Sequence, residues 1–280
     1  MKIGIIGAGR VGVASAFAIA TSCVAEEILL LDVNKELAEG EAEDISQGVT
    51  ITKTLIKTGD YSQLADKELI IITAGLRRKP EESRLDLIKK NSRLMEEIIG
   101  SIKQYNKDCL IFVVTNPVDV LTYSALKLSG FSPNKCFGLG TYLDTIRLRS
   151  FLIREGLKPE AMVIGEHGDS MVFLGDIPEQ IAERTRKAGA EMIKKKGGAG
   201  WAVGLAVADV VKAIANNEKG IFPLTSLIEN WNGLSGICIS VPVEVAVCGI
   251  ISYPEISLTE EEKERFLHSY NVIKETTLCL

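Results

Sequence analysis

Histidine is scarce in this chain, which has two histidines among 280 residues. His167 lies in a polar, glycine-flanked turn, Gly165–Ser170, directly after an apolar run, whereas His268 lies in a charged segment near the C-terminus. An unperturbed imidazole is the side chain that titrates near neutral pH. Any proton chemistry at that pH is therefore expected to depend on His167.

Closely spaced cysteines are missing as well. The six cysteines are scattered along the chain, and no two of them form a CxxC pair. Several lie inside apolar runs, which is typical of buried thiols in a reducing compartment. No Cys/His cluster with metal-ligand spacing is present in the sequence, so no metal site is predicted.

The chain also lacks long hydrophobic runs and an excess of positive charge. The longest stretch of mainly apolar and small residues, Val11–Cys23, is too short to span a bilayer. Met1–Ile6 lacks the basic and apolar regions of a signal peptide. The formal net charge of -5 argues against an obligate nucleic-acid partner. We expect a soluble cytoplasmic protein, with no membrane or nucleic-acid partner, whose local basic cluster Arg77–Lys79 suits a small anionic ligand.

The first half of the sequence alternates apolar strand patterns with helical patterns. The predicted strands are Lys2–Ile6, Glu27–Leu31, Leu69–Thr73 and Leu110–Val114. Strands that are apolar throughout indicate a parallel sheet covered on both faces. The sequence therefore predicts an α/β, doubly wound fold, in which ligands bind at the carboxyl ends of the strands.

After about residue 140 the pattern changes to mixed α+β. The predicted elements are helices near Tyr142–Glu155, Ile177–Lys195 and Gly200–Asn216, and strands at Gly236–Val241 and Val243–Ser252. The length suits about two domains. We predict a dinucleotide-binding domain over residues 1–140 and a substrate-binding domain over residues 141–280, packed tightly with the site in the crevice between them.

The glycine-rich segment Gly7-x-Gly9-x-x-Gly12 lies between a strand and a helix, where the dinucleotide fingerprint belongs. Its glycines form the tight turn, admit the pyrophosphate close to the backbone and let the helix approach the strand. Asp32 follows 20 residues after Gly12, at the end of the next strand, where a carboxylate can bind both ribose hydroxyls. Because this carboxylate would repel a 2′-phosphate, NAD is favoured over NADP, while the nearby cation Lys35 leaves NADP open as an alternative.

Three further residues can serve His167. Asp144 is a candidate for orienting its ring, and Arg147, three residues later, projects from the same helix face as Asp144. Asn116 follows an apolar strand, beside the expected nicotinamide site. Linear spacing alone does not bring these residues together with His167.

Taken in order, six motifs resemble those of the lactate/malate dehydrogenase family. They are Gly7–Gly12, Thr73–Gly75, Arg78–Pro80 with Ser83-Arg84, Thr115–Asp119, Leu143–Arg147 and Gly165–Ser170. The resemblance covers most of residues 1–252. It implies a Rossmann domain with NAD, hydride transfer to or from a 2-hydroxy acid, and a homodimer or homotetramer, with the broadly apolar segment Trp201–Ala213 at a subunit contact.

The resemblance also implies a role for each site residue. His167 would accept the proton of the substrate hydroxyl, held by Asp144, while Arg147 would bind the C1 carboxylate in a bidentate pair. Arg84 would polarise the C2 oxygen, and Asn116 would position His167 or that oxygen. The predicted cofactor-binding residues are Gly7, Gly9, Arg10, Val11, Gly12, Asp32, Thr73, Ala74, Gly75, Asn91, Val114 and Asn116.

Substrate choice is predicted from the residue before Lys79-Pro80. In the family, Gln there accompanies lactate and Arg accompanies the second carboxylate of malate; this chain has Arg78. An enclosed cation without that carboxylate would be unpaired, at a cost of about 2–5 kcal/mol. Ala199 stands where lactate enzymes commonly have Thr and leaves room for a larger acid. The sequence thus predicts a malate dehydrogenase of the tricarboxylic acid cycle, which interconverts (S)-malate and oxaloacetate.

Other functions stay open at this point. One is a dehydrogenase of L-lactate or another 2-hydroxy acid. Another is a non-catalytic NAD-binding regulatory protein, which the combination of His167, Asp144, Arg147 and Arg84 disfavours because a sensor needs no proton relay. An NAD-dependent glycosidase would be expected to show metal-ligand clusters. In the segment that resembles the family's mobile lid, Leu76–Ser83, Glu81 replaces the more usual glycine.

Overall fold

Residues 1–76, 81 and 84–278 are described by the computed structural model, apart from the side chain of Arg84. The strands are β1 (Lys2–Ile6), β2 (Glu27–Leu31), β3 (Leu55–Thr58), β4 (Leu69–Ile72), β5 (Leu110–Val113), β6 (Cys136–Gly138), β7 (Met162–Ile164), β8 (Val172–Leu174), β9 (Gly220–Leu227), β10 (Cys238–Ala246) and β11 (Gly249–Ser252). The helices are α1 (Arg10–Thr21), α2 (Lys35–Ser46), α3 (Val49–Thr52), α4 (Arg84–Tyr105), α5 (Val118–Ser129), α6 (Tyr142–Arg154), α7 (Glu179–Lys196), α8 (Trp201–Ala215) and α9 (Glu260–Thr277). Two short 3-10 helices cover Tyr61–Leu64 and Pro133–Lys135.

The first six strands form a parallel sheet in the order β3-β2-β1-β4-β5-β6. Every residue of β4 and β5 is buried. Such burial requires helices on both faces, which is why these strands are apolar throughout rather than alternating. The predicted doubly wound α/β fold is confirmed.

The same sheet continues past residue 140 through three antiparallel strands, β9, β10 and β11. Strand β9 joins β6 where Gly138 faces Thr225. Strands β3, β6, β7, β8 and β9 were not predicted from the sequence, and β10, which was predicted as two strands divided at Pro242, is one strand in the structure. Pro242 faces Pro223 of β9. Neither proline can donate a ladder hydrogen bond, so this pair must be a non-hydrogen-bonded one, which leaves the ladder intact.

Helix α1 packs closely against α8, and this contact joins the second half of the chain to the helix that follows β1. A Cβ atom at Gly204 of α8 would lie 2.5 Å from the carbonyl oxygen of Ala14 in α1, so the two helix backbones touch. Elsewhere on α8, Trp201 and Leu205 are exposed in the isolated chain. The predicted subunit contact at this helix, the homodimer or homotetramer and the boundary near residue 140 stay predictions.

In the described part of the chain, no helix combines the length and apolarity that crossing a bilayer would need.

Candidate active site

Two cavities open at the carboxyl ends of the parallel strands and share Thr73, Gly75 and Leu76 in their walls. The first, about 650 Å³, is lined by Gly7, Gly9, Asp32 and Ala74 among others. The second, about 690 Å³, is lined by Val11, Val114, Asn116, Arg147, His167 and Ala199 among others. Two adjacent cavities at this edge suit the two halves of a dinucleotide, with the second also lined by His167.

The glycine-rich turn fits a pyrophosphate. Gly7 has a positive φ of 110°, and a Cβ there would lie 2.6 Å from the amide nitrogen of Ala74. A Cβ at Gly12 would overlap the carbonyl oxygen of Gly7. Around Gly9, by contrast, a Cβ would meet nothing within 4 Å, and Gly9 caps α1 without a side chain. The first-turn amides of α1 are thus left for an anionic ligand in open space.

Asp32 follows the last residue of β2 and holds the glycine-rich turn. Its Oδ2 accepts a hydrogen bond from the amide of Ala8 (2.7 Å), and its Oδ1 accepts one from the amide of Asn34 (2.9 Å). Each carboxylate oxygen has a second lone pair for a ribose hydroxyl. Lys35 lines the same cavity.

Asn91 connects the loops that follow β4 and β5. Its Oδ1 accepts from the amide of Leu76 (2.8 Å), and its Nδ2 donates to the carbonyl oxygen of Asn116 (2.9 Å). Thr115 also joins these loops, because its hydroxyl donates to the carbonyl oxygen of Ala74 at 2.7 Å. Asn91 is buried, and its side chain positions backbone around the cavity; its predicted cofactor contact stays a prediction.

The structure brings together His167, Asp144 and Arg147. The Nδ1 atom of His167 lies 2.6 Å from Oδ2 of Asp144, and Nη1 of Arg147 donates to Oδ1 of the same carboxylate at 3.0 Å. Asp144 lies in the first turn of α6 and is 1% exposed, whereas the His167 and Arg147 side chains are 15% and 13% exposed and line the second cavity. Because Asp144 engages Nδ1, the other ring nitrogen, Nε2, can serve a bound substrate.

The pair is arranged to keep a proton on His167. Burial disfavours the imidazolium, but the carboxylates of Asp144 and, less strongly, Asp119 together outweigh burial and raise the pKa of His167 above its ordinary value. Burial likewise opposes ionisation of Asp144, yet His167 and Arg147 together lower the pKa of that carboxyl. The charged pair is therefore favoured near neutral pH.

The turn that carries His167 is fixed by two elements from the second half of the chain. Gly165 exchanges two backbone hydrogen bonds with Ser240 of β10, at 2.8 and 3.2 Å. The amide of Glu166 donates to the hydroxyl of Ser269 in α9 (2.7 Å). A Cβ at Gly165, whose φ is 89°, would lie 2.6 Å from that hydroxyl oxygen. Glycine is thus required where the turn meets α9.

Asp119 also holds the His167 turn, a role that sequence reasoning missed. Its Oδ2 accepts a hydrogen bond from the backbone amide of His167 (2.9 Å), and its Oδ1 accepts one from the hydroxyl of Thr225 (2.6 Å). Burial raises the pKa of Asp119 to about 6. The sequence signal was a carboxylate in the apolar start of α5, but its partner lies 48 residues away.

We predict that Asp119→Asn lowers the pKa of His167. Around the imidazole, Asp144 and Asp119 raise the pKa while Arg147 lowers it, so removal of one negative charge must move the pKa down. An NMR titration measures this directly, since the chain has two histidines and His268→Asn assigns the other signal. Asp144→Asn should cause a larger decrease, because Asp144 has the greater effect.

The matched control for this prediction is Thr225→Val, which removes a hydroxyl that bonds Asp119 and keeps the carboxylate. It should leave the pKa of His167 higher than Asp119→Asn does. An unchanged pKa of His167 in folded Asp119→Asn would contradict the assignment.

Of the remaining predicted residues, Arg10 lies at the start of α1 but directs Nη1 to the carbonyl oxygens of Lys196 and Gly198. Arg78 lies outside the described residues, as does the side chain of Arg84, whose backbone begins α4. The predicted substrate contacts of both arginines stay predictions. Among the described residues, no group of three or more His, Cys, Asp or Glu side chains is arranged to hold a metal ion.

Comparisons with known proteins agree with this architecture. The family model of the lactate/malate dehydrogenase NAD-binding domain matches residues 1–138, and that of the lactate/malate dehydrogenase α/β C-terminal domain matches residues 173–279. An L-lactate dehydrogenase from Acetivibrio thermocellus is 40% identical, over 98% of this chain and 95% of that protein.

Solved structures of both kinds of enzyme are similar to this chain. A ligand-bound minor L-lactate dehydrogenase from Enterococcus mundtii has a TM-score of 0.93 at 31% identity, with 100% of this chain and 98% of that one covered. A malate dehydrogenase from Archaeoglobus fulgidus in complex with NADH has a TM-score of 0.93 at 35% identity, with 99% of each chain covered.

Proposed function

The chain belongs to the lactate/malate dehydrogenase family and is an NAD-dependent 2-hydroxy acid dehydrogenase; we propose that it interconverts L-lactate and pyruvate. The observation that carries the chemistry is the Asp144–His167 pair opening on the cavity beside the glycine-rich turn. The lactate assignment is supported by the relative from Acetivibrio thermocellus, which is named an L-lactate dehydrogenase and spans nearly the whole chain.

Each described side chain at the second cavity then has a task. When bound, the cofactor supplies or accepts the hydride at its nicotinamide. His167 gives a proton from Nε2 to the substrate oxygen during reduction, and takes it back during oxidation. Asp144 stabilises the imidazolium, and Arg147 binds the C1 carboxylate.

The walls of this cavity suit a small apolar substituent on the acid. Among the described lining residues, the cationic side chains are Arg147 and the protonated His167, which is paired with Asp144. Leu76, Leu87, Ile193 and Val203 contribute apolar surface to the same cavity. A methyl group can contact such surface without leaving a polar group unpaired.

Malate and oxaloacetate form the second candidate pair. Two observations favour them: the sequence has Arg78 before Lys79-Pro80, and Ala199 lines the second cavity, where its small side chain leaves room for a second carboxylate. The malate assignment was the first expectation from the sequence, and the names of the curated relatives favour lactate instead.

Steady-state kinetics with pyruvate and oxaloacetate, each with NADH and NADPH, test the proposal. We expect the higher kcat/KM with pyruvate, and NADH preferred because of Asp32. A higher kcat/KM with oxaloacetate would replace lactate with malate, and no turnover of either acid by folded, NADH-binding protein would favour a regulatory protein.

The variant Arg78→Gln separates the two candidates independently. If Arg78 binds a second carboxylate, its loss should lower kcat/KM for oxaloacetate by about 30-fold to several thousand-fold, the equivalent of about 2–5 kcal/mol. If lactate is the substrate, kcat/KM for pyruvate should persist. Arg77→Gln is the matched control, since it removes the same charge one position earlier and should affect both acids alike.

A further inference from the structure

Arg10 connects the cofactor side of the molecule to the wall of the second cavity. It is the first residue of α1, directly after Gly9. Its Nη1 donates to the carbonyl oxygens of Lys196 (2.5 Å) and Gly198 (2.9 Å). Lys196 is the last residue of α7, where carbonyl groups lack helical partners and the helix dipole is negative. The guanidinium therefore caps the C-terminus of α7 from the other half of the chain.

The loop held by Arg10, residues 197–200, forms part of the second cavity. Gly197, Gly198 and Ala199 line this cavity together with His167 and Arg147. The φ angles of Gly197 and Gly198 are 75° and 130°, so both residues have a backbone conformation that glycine adopts readily and other residues rarely adopt. A Cβ at Gly200 would lie 2.7 Å from Cγ of Arg10, so the loop packs directly on the arginine stem. Arg10 thus holds this part of the cavity wall, together with the backbone hydrogen bonds that Gly197 and Gly198 donate to α7.

The backbone of the same residue belongs to the place where a pyrophosphate would bind. The open space at Gly9 directly precedes Arg10, and the backbone amide of Arg10 is one of the first-turn amides of α1. A guanidinium has five donors in a planar fork, and both bonds to the loop use Nη1. Nε and Nη2 take no part in these two bonds.

We propose that Arg10 couples NAD binding to the position of loop 197–200, and so acts as a positioning residue for the oxo acid. The pyrophosphate draws the guanidinium to one place, and the guanidinium in turn holds the two carbonyl groups that shape the cavity wall. Because coupling is reciprocal, the oxo acid then binds more tightly to the NAD-bound protein than to the free protein. The substrate part of this inference rests on the proposed function.

Trp201 provides a readout that requires no turnover. It directly follows the loop and is 67% exposed, whereas Trp231, the other tryptophan, is buried against Phe266. In a Trp231→Phe background, oxidised NAD should change the emission of Trp201 and its quenching by acrylamide. Arg10→Met should still bind NAD by calorimetry, but the Trp201 response at saturating NAD should be lost. Arg10→Lys, which keeps the charge and loses the fork, should restore little of it.

The matched control is Lys35→Met, which removes a cation from the other cavity and should retain the Trp201 response at saturation. If Trp231→Phe does not fold, hydrogen exchange of residues 196–200 with and without NAD, in otherwise unaltered protein and in Arg10→Met, measures the same coupling. A full response of Trp201 or of exchange in NAD-saturated Arg10→Met would overturn the proposal.

Kinetics add a second criterion. At saturating NADH, Arg10→Met should raise KM for the accepted oxo acid by about fivefold or more, the lower end of typical couplings, with a smaller change in kcat. This KM measurement tests the coupling and not the choice between pyruvate and oxaloacetate. If the protein does not reduce pyruvate, the proposed function fails, but the Trp201 experiment, which needs only NAD, still tests the coupling. An unchanged KM in this variant would contradict the coupling.

Discussion

Replacing His167 with asparagine is expected to lower kcat for oxo-acid reduction by about 10²- to 10⁴-fold, the usual contribution of a positioned acid–base group. Asparagine can occupy the site but has no proton to give at neutral pH. The affinity for NADH should be retained, because the glycine-rich turn and Asp32 lie at the other cavity. Stopped-flow single turnovers and NADH titration measure the two quantities separately.

The chain offers its own control for this substitution. His268 is the other histidine and is exposed on α9, so His268→Asn should keep kcat. Near-normal turnover of folded His167→Asn would contradict the assignment of His167 as the proton donor.

The pH dependence of the unaltered protein follows from the same pair. Reduction of the oxo acid needs the protonated imidazole, so its rate should be level below the pKa of His167 and fall as the pH rises through it. Since Asp144 raises that pKa, the fall should begin above the range of an ordinary histidine. Oxidation of the hydroxy acid needs the neutral imidazole, so its rate should fall as the pH decreases through the same pKa.

Arg147→Lys is expected to lower kcat/KM by about 30-fold to several thousand-fold, mainly through KM. This range corresponds to the loss of one partner from a buried, hydrogen-bonded charge pair, about 2–5 kcal/mol. The guanidinium is 13% exposed and keeps Asp144 as a neighbour at 3.0 Å. A lysine ammonium has no planar fork for the C1 carboxylate. Initial rates over a range of oxo-acid concentration, at saturating NADH, measure the change.

Arg154→Lys is the matched control for Arg147→Lys. Arg154 is the last residue of the same helix, α6, and its guanidinium lies over the ring of Phe151, with 5.9 Å to the ring centroid. Its replacement should leave KM unchanged. A normal KM in Arg147→Lys would exclude this arginine as the carboxylate-binding residue.

Local pattern was sufficient for four of the six parallel strands. The apolar runs of β1, β2, β4 and β5 required cover on both faces, and their ends marked the edge where both cavities open. Asp144 and Arg147 share a helix face because residues three apart on a helix are neighbours, and the structure places their side chains in contact. Spacing within one element is preserved by local geometry, so sequence suffices there.

Contacts between distant segments could not be predicted from the sequence pattern. Asp119 meets the amide of His167 across 48 residues, and Arg10 meets Gly198 across 188. Strand β9 was missed because its sequence, which contains Pro223, does not show a strand pattern when considered alone. It forms a strand because β10 supplies a partner whose own proline faces Pro223. Tertiary pairing, and not local preference, decided that element.

By itself, then, the amino-acid sequence determined the cofactor, the family and the histidine on which the proposed chemistry depends. Each of these follows from residues that are close in the chain or from a family pattern. Only the tertiary structure decided which residues hold that histidine and that loop 197–200 lines the same cavity. Hydrogen bonds of the turn with Asp119, Ser240 and Ser269 fix its position, and the guanidinium of Arg10 holds the loop. Those partners become neighbours only when the sheet is complete and α1 lies against α8.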